Sequence, residues 1–469
     1  MQYDCLKGLE PADFFYWFGQ ICQIPHGSHK EEKLVAFLTD FARKRGFFCE
    51  SDESNNLLVR VPATTGYESQ PPFLLQAHSD MVWQADVPFD FENSPIDLQV
   101  VGNKLMAKGT TLGADNAVGM ATMLALADGD YPHPELELLF TAAEEVGMVG
   151  IKAFDLRKLK SRRMLNMDCG DSHVLCVTSA GSITGQVEKS YSLSPVDPQW
   201  QVFSLTLTGG KGGHSGICAN MGRACGVNLL ADLLLESPVR LCALEADGAI
   251  IKQVHAIIAM PADLRDTLQQ RFARIKIAYQ QTDPDWQLLF EPAEHTTALS
   301  SDDSADLLLA LSLLRTGQVR NDGNLPQFVM TSGQLRSAQL RSGALNIMYG
   351  VRSASNADGS IYFDRTRAQL ARLGLQLQLI SRYSGWQERE HSPLRQQFAA
   401  MHQQLFGYDI AIERIHGGIE VGTIMGAIPD MDAVGLAPTA RGAHTTGEYL
   451  LIDEVAPYWQ LLTAVLAEK

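Results

Sequence analysis

The chain lacks a basic leader followed by an apolar core at its start, and no apolar run reaches the ~18 residues of a membrane span. Secretion and membrane insertion are therefore not expected, and the expected address is cytoplasmic. Cysteine is sparse, with eight thiols in 469 residues and no CxxC pair, which argues against a disulfide framework and for free thiols in a reducing compartment. Positive charge is in deficit: 38 Lys and Arg stand against 54 Asp and Glu, a net charge of -16. Such a chain has no global attraction for phosphate, so neither nucleic acid nor an anionic membrane is an expected partner. No internal repeat or low-complexity tract interrupts the sequence. A hydrophobic fraction of 45% is ample for a sizeable core, and the length suggests roughly two to four domains.

The chain is organised around Phe73-Leu74-Leu75-Gln76-Ala77-His78-Ser79-Asp80, an apolar strand that ends in a histidine and a carboxylate. A strand without alternation fits a sheet covered on both faces, and ligands in such sheets collect beyond the carboxyl ends of the strands. A lone histidine at a strand end is more often structural than functional. The reading of His78 as a metal ligand, with Asp80 fixing its ring, rests on four later stretches. Gly109 to Asn116 is a glycine-bearing loop that feeds an apolar helix, with Asp115 at the helix start, where backbone N–H groups favour an anion. The loop has no Lys after its second Gly, so it is not a phosphate cradle. Glu135 to Thr141 is a strand that runs out into Glu144-Glu145, adjacent carboxylates that repel unless a cation or a shared proton intervenes. Met164 to Asp168 repeats the pattern of an apolar strand followed by an acid. Far downstream, Ala433 to Leu436 is a further strand leading to His444.

The remaining segments fill in the frame. Residues 11–22 read as a helix with a wide apolar face. Ser28-His29-Lys30-Glu31 has the pattern of a capping box opening a second helix, with His26 and His29 as surface residues in the loop before it. Residues 84–108 read as a surface loop or hairpin. The middle third changes character. Residues 201–208 alternate, 221–235 read as a helix, 345–351 as a strand, 364–373 as a helix and 375–379 as an alternating strand. Strands with one wet face and helices on the other imply an α+β domain. The expected division is residues 1–186 and 384–469 for a first, α/β domain, and 187–383 for an α+β domain inserted into it.

Taken together, His78, Asp115, Glu145, Asp168 and His444 offer two imidazoles and three carboxylates. That donor set suits two divalent cations, most plausibly Zn²⁺, with Mn²⁺ or Co²⁺ as alternatives. Glu144, beside a ligand but not needed as one, is then the candidate general base for a water attacking an amide.

These stretches resemble the metal-site motifs of the M20 family of dizinc aminopeptidases and deacylases. The GTTLGADN run, the length and the Ile24-Pro25-His26 turn are most similar to its aminoacyl-histidine dipeptidase branch. The resemblance implies that Asp115 bridges two metals, that His78 and Asp168 hold one and Glu145 and His444 the other, that Asp80 orients His78 and that Glu144 is the base. It implies a dizinc aminopeptidase-like fold, in which an α/β catalytic domain with a mixed sheet is split by an inserted α+β lid domain that often mediates homodimerisation. In that lid, His214 within Gly209 to Gly216 resembles a histidine that polarises the scissile carbonyl. Arg352 resembles the arginine that clamps a free carboxylate, and His416 and Glu420 lie in a stretch that resembles a family loop near the site, which makes them candidates for binding substrate or the groups around it. Ile257 to Pro261 matches an apolar-Pro turn, where Ile258 stands in place of an expected amide.

The implied function is hydrolysis of short peptides with free termini, such as Xaa-His dipeptides. N-acyl-amino-acid deacylation or carboxypeptidase action by the same site is an alternative. A catalytically silent peptide-binding protein on this fold is an alternative of another class.

Overall fold

The computed structural model describes residues 3–469. The chain forms two compact units. The first comprises Met1–Thr178, Glu388–Arg414 and Ile419–Lys469, and the second Ser179–Gln387 with Ile415–Gly418.

The first unit is built on an eight-stranded mixed sheet. Its order is Phe48–Ser51, Leu57–Val61, Leu136–Thr141, Phe73–His78, Arg163–Asn166, Asp432–Gly435, Val174–Cys176 and Ala411–Glu413. The four strands from Leu136–Thr141 to Asp432–Gly435 run parallel to one another. Every residue of Phe73–His78 and Leu136–Thr141 is buried, as the unbroken apolar runs require. Helices Ala12–Cys22, Glu32–Lys44, Ala114–Asp128, Pro393–Phe406 and Val455–Ala467 contribute their apolar faces to one continuous core with these strands. A separate four-stranded sheet joins the hairpin Leu98–Val101 and Lys104–Ala107 to Tyr449–Leu451 and Ala440–Arg441.

The second unit is a nine-stranded antiparallel sheet. Its inward residues, among them Phe203, Leu205, Leu207, Ile258, Ile347 and Val351, pack with helices Gly226–Leu234, Leu264–Ala278, Ser301–Leu313 and Asn356–Arg372. The alternation of strand Gln201–Thr208 follows from that arrangement, because every second side chain faces the helices. Among the described residues, no helix is long and apolar enough to cross a membrane.

Several local expectations need correction. Ser28 does not cap the second helix. That helix spans Glu32–Lys44 with Glu31 at its N-cap, and Ser28 Oγ instead donates to Asp80 Oδ2 at 2.7 Å. Glu31 does reach back, but to the N–H of His29 and to that of Ala143, both at 2.9 Å. His26 is buried rather than on the surface, with its ring Nδ1 on the carbonyl of Ile24, whereas His29 is exposed. The helix expected over 221–235 is Gly226–Leu234, after a loop. The helix expected over 364–373 starts earlier, at Asn356, where Ser355 caps it. Leu375 and Leu377 belong to the core, and the strand expected there spans Gln378–Tyr383. Ile257 to Met260 is not a turn but part of strand Val254–Met260, in which Ile258 lies opposite Phe203 and Leu241 in the core.

Candidate metal centre

Three neighbouring parallel strands of the first unit end at His78, Thr141 and Asn166. Chain direction therefore delivers His78, the turn holding Glu144 and Glu145, and Asp168 to one edge of the sheet. Asp115 arrives from the first turn of helix Ala114–Asp128. Gly113 before it adopts a left-handed φ of 72°, and a Cβ there would meet Met81 Sδ at 2.8 Å, so only glycine fits this entry. His444 sits in the hairpin between Ala440–Arg441 and Tyr449–Leu451, with its backbone at φ 64°.

Asp115 is the shared member of two clusters. His78 Nε2 lies 2.9 Å from Asp115 Oδ1 and 3.5 Å from Asp168 Oδ1. His444 Nε2 lies 3.4 Å from Asp115 Oδ2 and 2.7 Å from Glu145 Oε1. Potential ligand atoms of His78, Asp115 and Asp168, and of Asp115, Glu145 and His444, all fall within 4.8 Å of one another, as do those of His78, Glu144 and Glu145.

The donor chemistry fits cations. His78 Nδ1 faces the carbonyl oxygen of Asp80 at 3.0 Å, and a carbonyl can only accept, so that nitrogen carries the hydrogen. The Nε2 lone pair is then aimed at two carboxylate oxygens, an arrangement that needs a positive charge between them. Glu145 Oε1 repeats the pattern: it is buried and lacks any partner in hydrogen-bond geometry, despite the nearby His444 nitrogen.

The electrostatics carry the same signature. Burial would lower the His78 pKa, but bonds to Asp115, Asp168 and Asp80 push it well above the ordinary imidazole value. His444 is pushed up to about 10 by the close carboxylates of Asp115 and Glu145. Burial and the Asp115 charge push Asp168 up to about 7. Glu144 is raised well above the ordinary carboxyl range, first by burial and then by the charge of Asp168, with Glu420 and Glu145 adding to it. Carboxylates packed this closely stay ionised when cations neutralise them.

A ring of side chains holds these groups in place. Asp80 is fully buried. Its carboxylate lies 3.5 Å from His78 Nδ1, while its closer bonds run to the N–H of Glu144 at 2.9 Å, the N–H of Glu145 at 3.2 Å and Ser28 Oγ at 2.7 Å. Glu448 accepts the N–H groups of Leu112 and Gly113 at 2.9 Å and that of Asp115 at 3.1 Å. Glu420 is 1% exposed and accepts from Gln76 Nε2 at 2.6 Å and Thr141 Oγ1 at 2.5 Å, so it braces two of the strands that carry the cluster. Burial pushes the Glu420 carboxyl up to about 8. Sequence pattern assigns Glu31 a capping role only, and assigns none to Glu448, Gln76 or Thr141. Glu448 follows His444 by four residues, which was the one available signal.

The second unit gathers His214, Arg352 and His416. Arg352 Nε donates to Ser215 Oγ at 3.3 Å and Nη1 to Tyr383 OH at 3.4 Å. His416 Nε2 lies 2.7 Å from Ser332 Oγ. Burial, with the Arg352 and His214 charges, pushes His416 down to about 4. His214 Nδ1 accepts the N–H of Ile217 at 3.1 Å.

The sequence profile of peptidase family M20/M25/M40 matches residues 74–468. The chain is also 33% identical to the cytosol non-specific dipeptidase of Escherichia coli K12, over 99% of each chain. It belongs to this peptidase family. Among solved structures, this M20 peptidase is similar to aminoacylhistidine dipeptidase from Vibrio alginolyticus, with a TM-score of 0.88, 29% identity, and coverage of 98% of this chain and 97% of that one. Aminopeptidase PepT from Bacillus cereus shares its fold at a TM-score of 0.59 and 16% identity, with 98% of each chain covered.

Proposed function

We propose that the protein is a metal-dependent dipeptidase acting on short peptides with free termini, Xaa-His dipeptides among them. The observation that supports this reading most is the pair of histidine–carboxylate clusters sharing Asp115. In this reading His78, Asp115 and Asp168 hold one cation, Asp115, Glu145 and His444 the other, and Zn²⁺ is the metal that best suits two imidazoles and three carboxylates. Bound there, two divalent cations acidify water and polarise a carbonyl.

The chain's own residues supply the rest. Glu144 stands beside the clusters in a pocket that favours its protonated form, which suits a group that takes a proton from the attacking water and returns it to the leaving amine. Asp80 fixes Glu144 through its backbone N–H. Arg352 is the candidate for holding the substrate's free carboxylate, and His214 and His416 for contacting the peptide. Glu420 acts through Gln76 and Thr141 rather than through substrate. A cytoplasmic address agrees with eight free thiols. Homodimerisation through the second unit is supported by its edge strand Gln378–Tyr383, which leaves Leu379 and Ile380 half exposed.

The test is turnover of a dipeptide panel, including β-alanyl-histidine, by chelator-stripped protein before and after Zn²⁺ or Mn²⁺ is restored. Hydrolysis that returns with two metal equivalents is expected. Two bound metals without cleavage of any dipeptide would refute the reading, and preferential cleavage of N-acyl amino acids would move it to a deacylase.

A further inference from the structure

The second unit carries a guanidinium beyond Arg352 to which the family resemblance gives no role. Strand Val329–Arg341 pairs with strand Ala344–Ser353, so that Ser332 lies opposite Arg352 and Gln334 opposite Gly350. The register then shifts by one residue between Leu335 and Ser337. The extra residue is Arg336. A bulge of this kind re-aims the inserted side chain, and here it is laid across Gly350. A Cβ on Gly350 would meet Arg336 Nε and Nη2 at 3.0 Å and Cζ at 3.2 Å. A side chain there would press on the guanidinium as it lies across this position.

Gly350 and Arg352 are two apart on one strand and share a face, ~7 Å from each other. The sheet face there is polar. Ser182 and Thr184 lie opposite Arg352 and Gly350 on the next strand, and Tyr383 lies opposite Ser182 beyond it. Ser182 Oγ is buried and has no hydrogen-bond partner.

Two cations on one partly buried face normally call for counter-charges. Arg336 Nε donates to Gln334 Oε1 at 3.2 Å. Neither Arg336 nor Arg352 has a carboxylate within 4.0 Å among the described residues. Burial and the Arg352 charge together push the Arg336 guanidinium below its ordinary value, so the pair is a repulsive one as it stands.

We propose that Arg336 and Arg352 form a two-cation site for a C-terminal residue with two carboxylates, so that the protein favours dipeptides ending in glutamate or aspartate. This deepens the dipeptidase reading and rests on it. Arg352 takes the α-carboxylate and Arg336 the side-chain carboxylate, while Ser182 Oγ and Tyr383 OH offer further polar contacts.

Isosteric pairs test the proposal. Gly-Glu and Gly-Gln are compared as substrates of the metal-loaded enzyme, and L-glutamate and L-glutamine as ligands by titration calorimetry, for the wild type, Arg336→Met and Arg336→Lys. The wild type is expected to favour the acid over the amide by on the order of tenfold or more in both kcat/KM and affinity, the size of a charge-assisted bond. In Arg336→Met the ratio should fall toward one, and in Arg336→Lys part of it should return. A wild-type ratio near one, or a ratio unchanged in Arg336→Met, overturns the proposal. Equal losses for acid and amide would place both guanidiniums on one carboxylate and overturn it too, as would the absence of saturable heat with either amino acid. If glutamate is favoured in calorimetry but neither dipeptide is cleaved, the dipeptidase reading fails while the two-cation site stands.

Discussion

The substitution Asp80→Asn separates two jobs that one carboxylate could do. The backbone carbonyl of residue 80 is the nearer acceptor for His78 Nδ1, at 3.0 Å against 3.5 Å for the carboxylate, and asparagine keeps that carbonyl. What asparagine cannot keep is an oxygen pair accepting from Glu144 N, Glu145 N and Ser28 Oγ at once. Its amide nitrogen must face at least one of these donors. Burial raises the Asp80 pKa, but bonds with His78, Ser28 and Glu144 N outweigh it and hold the group down at about 2, against an ordinary 3.8.

At 1.36 kcal/mol per unit, that shift corresponds to about 2 kcal/mol of stability at neutral pH. A stranded buried N–H costs a further ~1–3 kcal/mol, partly the same energy counted again. The expected loss is therefore about 2–4 kcal/mol, or roughly 4–8 °C in Tm for a unit of this size. Because the folded pKa is the lower one, the wild-type advantage is full above the unfolded value and fades as pH falls through about 2. Displacing the Glu144 turn by even 1 Å should lower kcat by about 10²-fold at saturating metal. Metal affinity should fall less than the ~10–100-fold typical when a carboxylate orienting a ligand is removed. The assays are kcat at saturating metal, metal titration and thermal melts of the metal-free protein. A large loss of metal affinity with unchanged kcat in the loaded enzyme would refute the reasoning.

Four further substitutions probe separate features. Glu144→Gln should retain two metal equivalents by elemental analysis while kcat falls about 10²–10⁴-fold. Arg352→Met should raise KM for free-acid dipeptides and leave C-terminally amidated ones nearly unchanged, as measured by steady-state kinetics on matched pairs. Ile258→Asn puts an unpartnered amide into the core of the second unit and should cost about 3 kcal/mol or more in urea unfolding. His402 is a pH probe: Nδ1 must donate to the Tyr408 carbonyl at 2.9 Å, Nε2 then accepts from His173 Nδ1 at 2.9 Å, and burial lowers its pKa. That neutral ring contributes stability above about 6.5 that is lost as pH falls through its lower folded value, so His402→Gln should flatten the loss of Tm between about pH 7 and 5.

The parts of the site legible in the sequence are those set by local chain direction. A buried parallel strand without alternation announces itself as an apolar run, and the groups just past its end are few. That is why His78, the Glu144-Glu145 pair and Asp168 are legible together, and why these strands read as a sheet covered on both faces. Errors arose where a short pattern has two uses. Ser28 and Glu31 have the spacing of a capping box, yet both brace the candidate metal cluster, Ser28 through Asp80 and Glu31 through the Ala143 N–H. His26 looked solvent-facing because its neighbours are Pro and Gly, but the carbonyl of His26 accepts from Met81 N and draws that loop onto the sheet. The apolar run ending at Pro261 reads as a turn when judged by its proline, and as a strand when its cross-strand partners are known.

What stayed illegible depends on pairing at long range. Glu448 braces N–H groups more than three hundred residues earlier, and a carboxylate recruited by backbone donors leaves no side-chain motif. The Arg336 bulge is the extreme case. In the sequence it is an unremarkable arginine outside every motif. Its direction follows from one extra residue in a register and one missing side chain on the neighbouring strand. The candidate metal ligands come from the part of the chain whose meaning is local. The residues that would decide which peptide is preferred come from the antiparallel sheet, where each position acquires its meaning from the strand beside it. For this family member, the reaction is therefore readable from motifs, whereas the proposed preference among substrates rests on register.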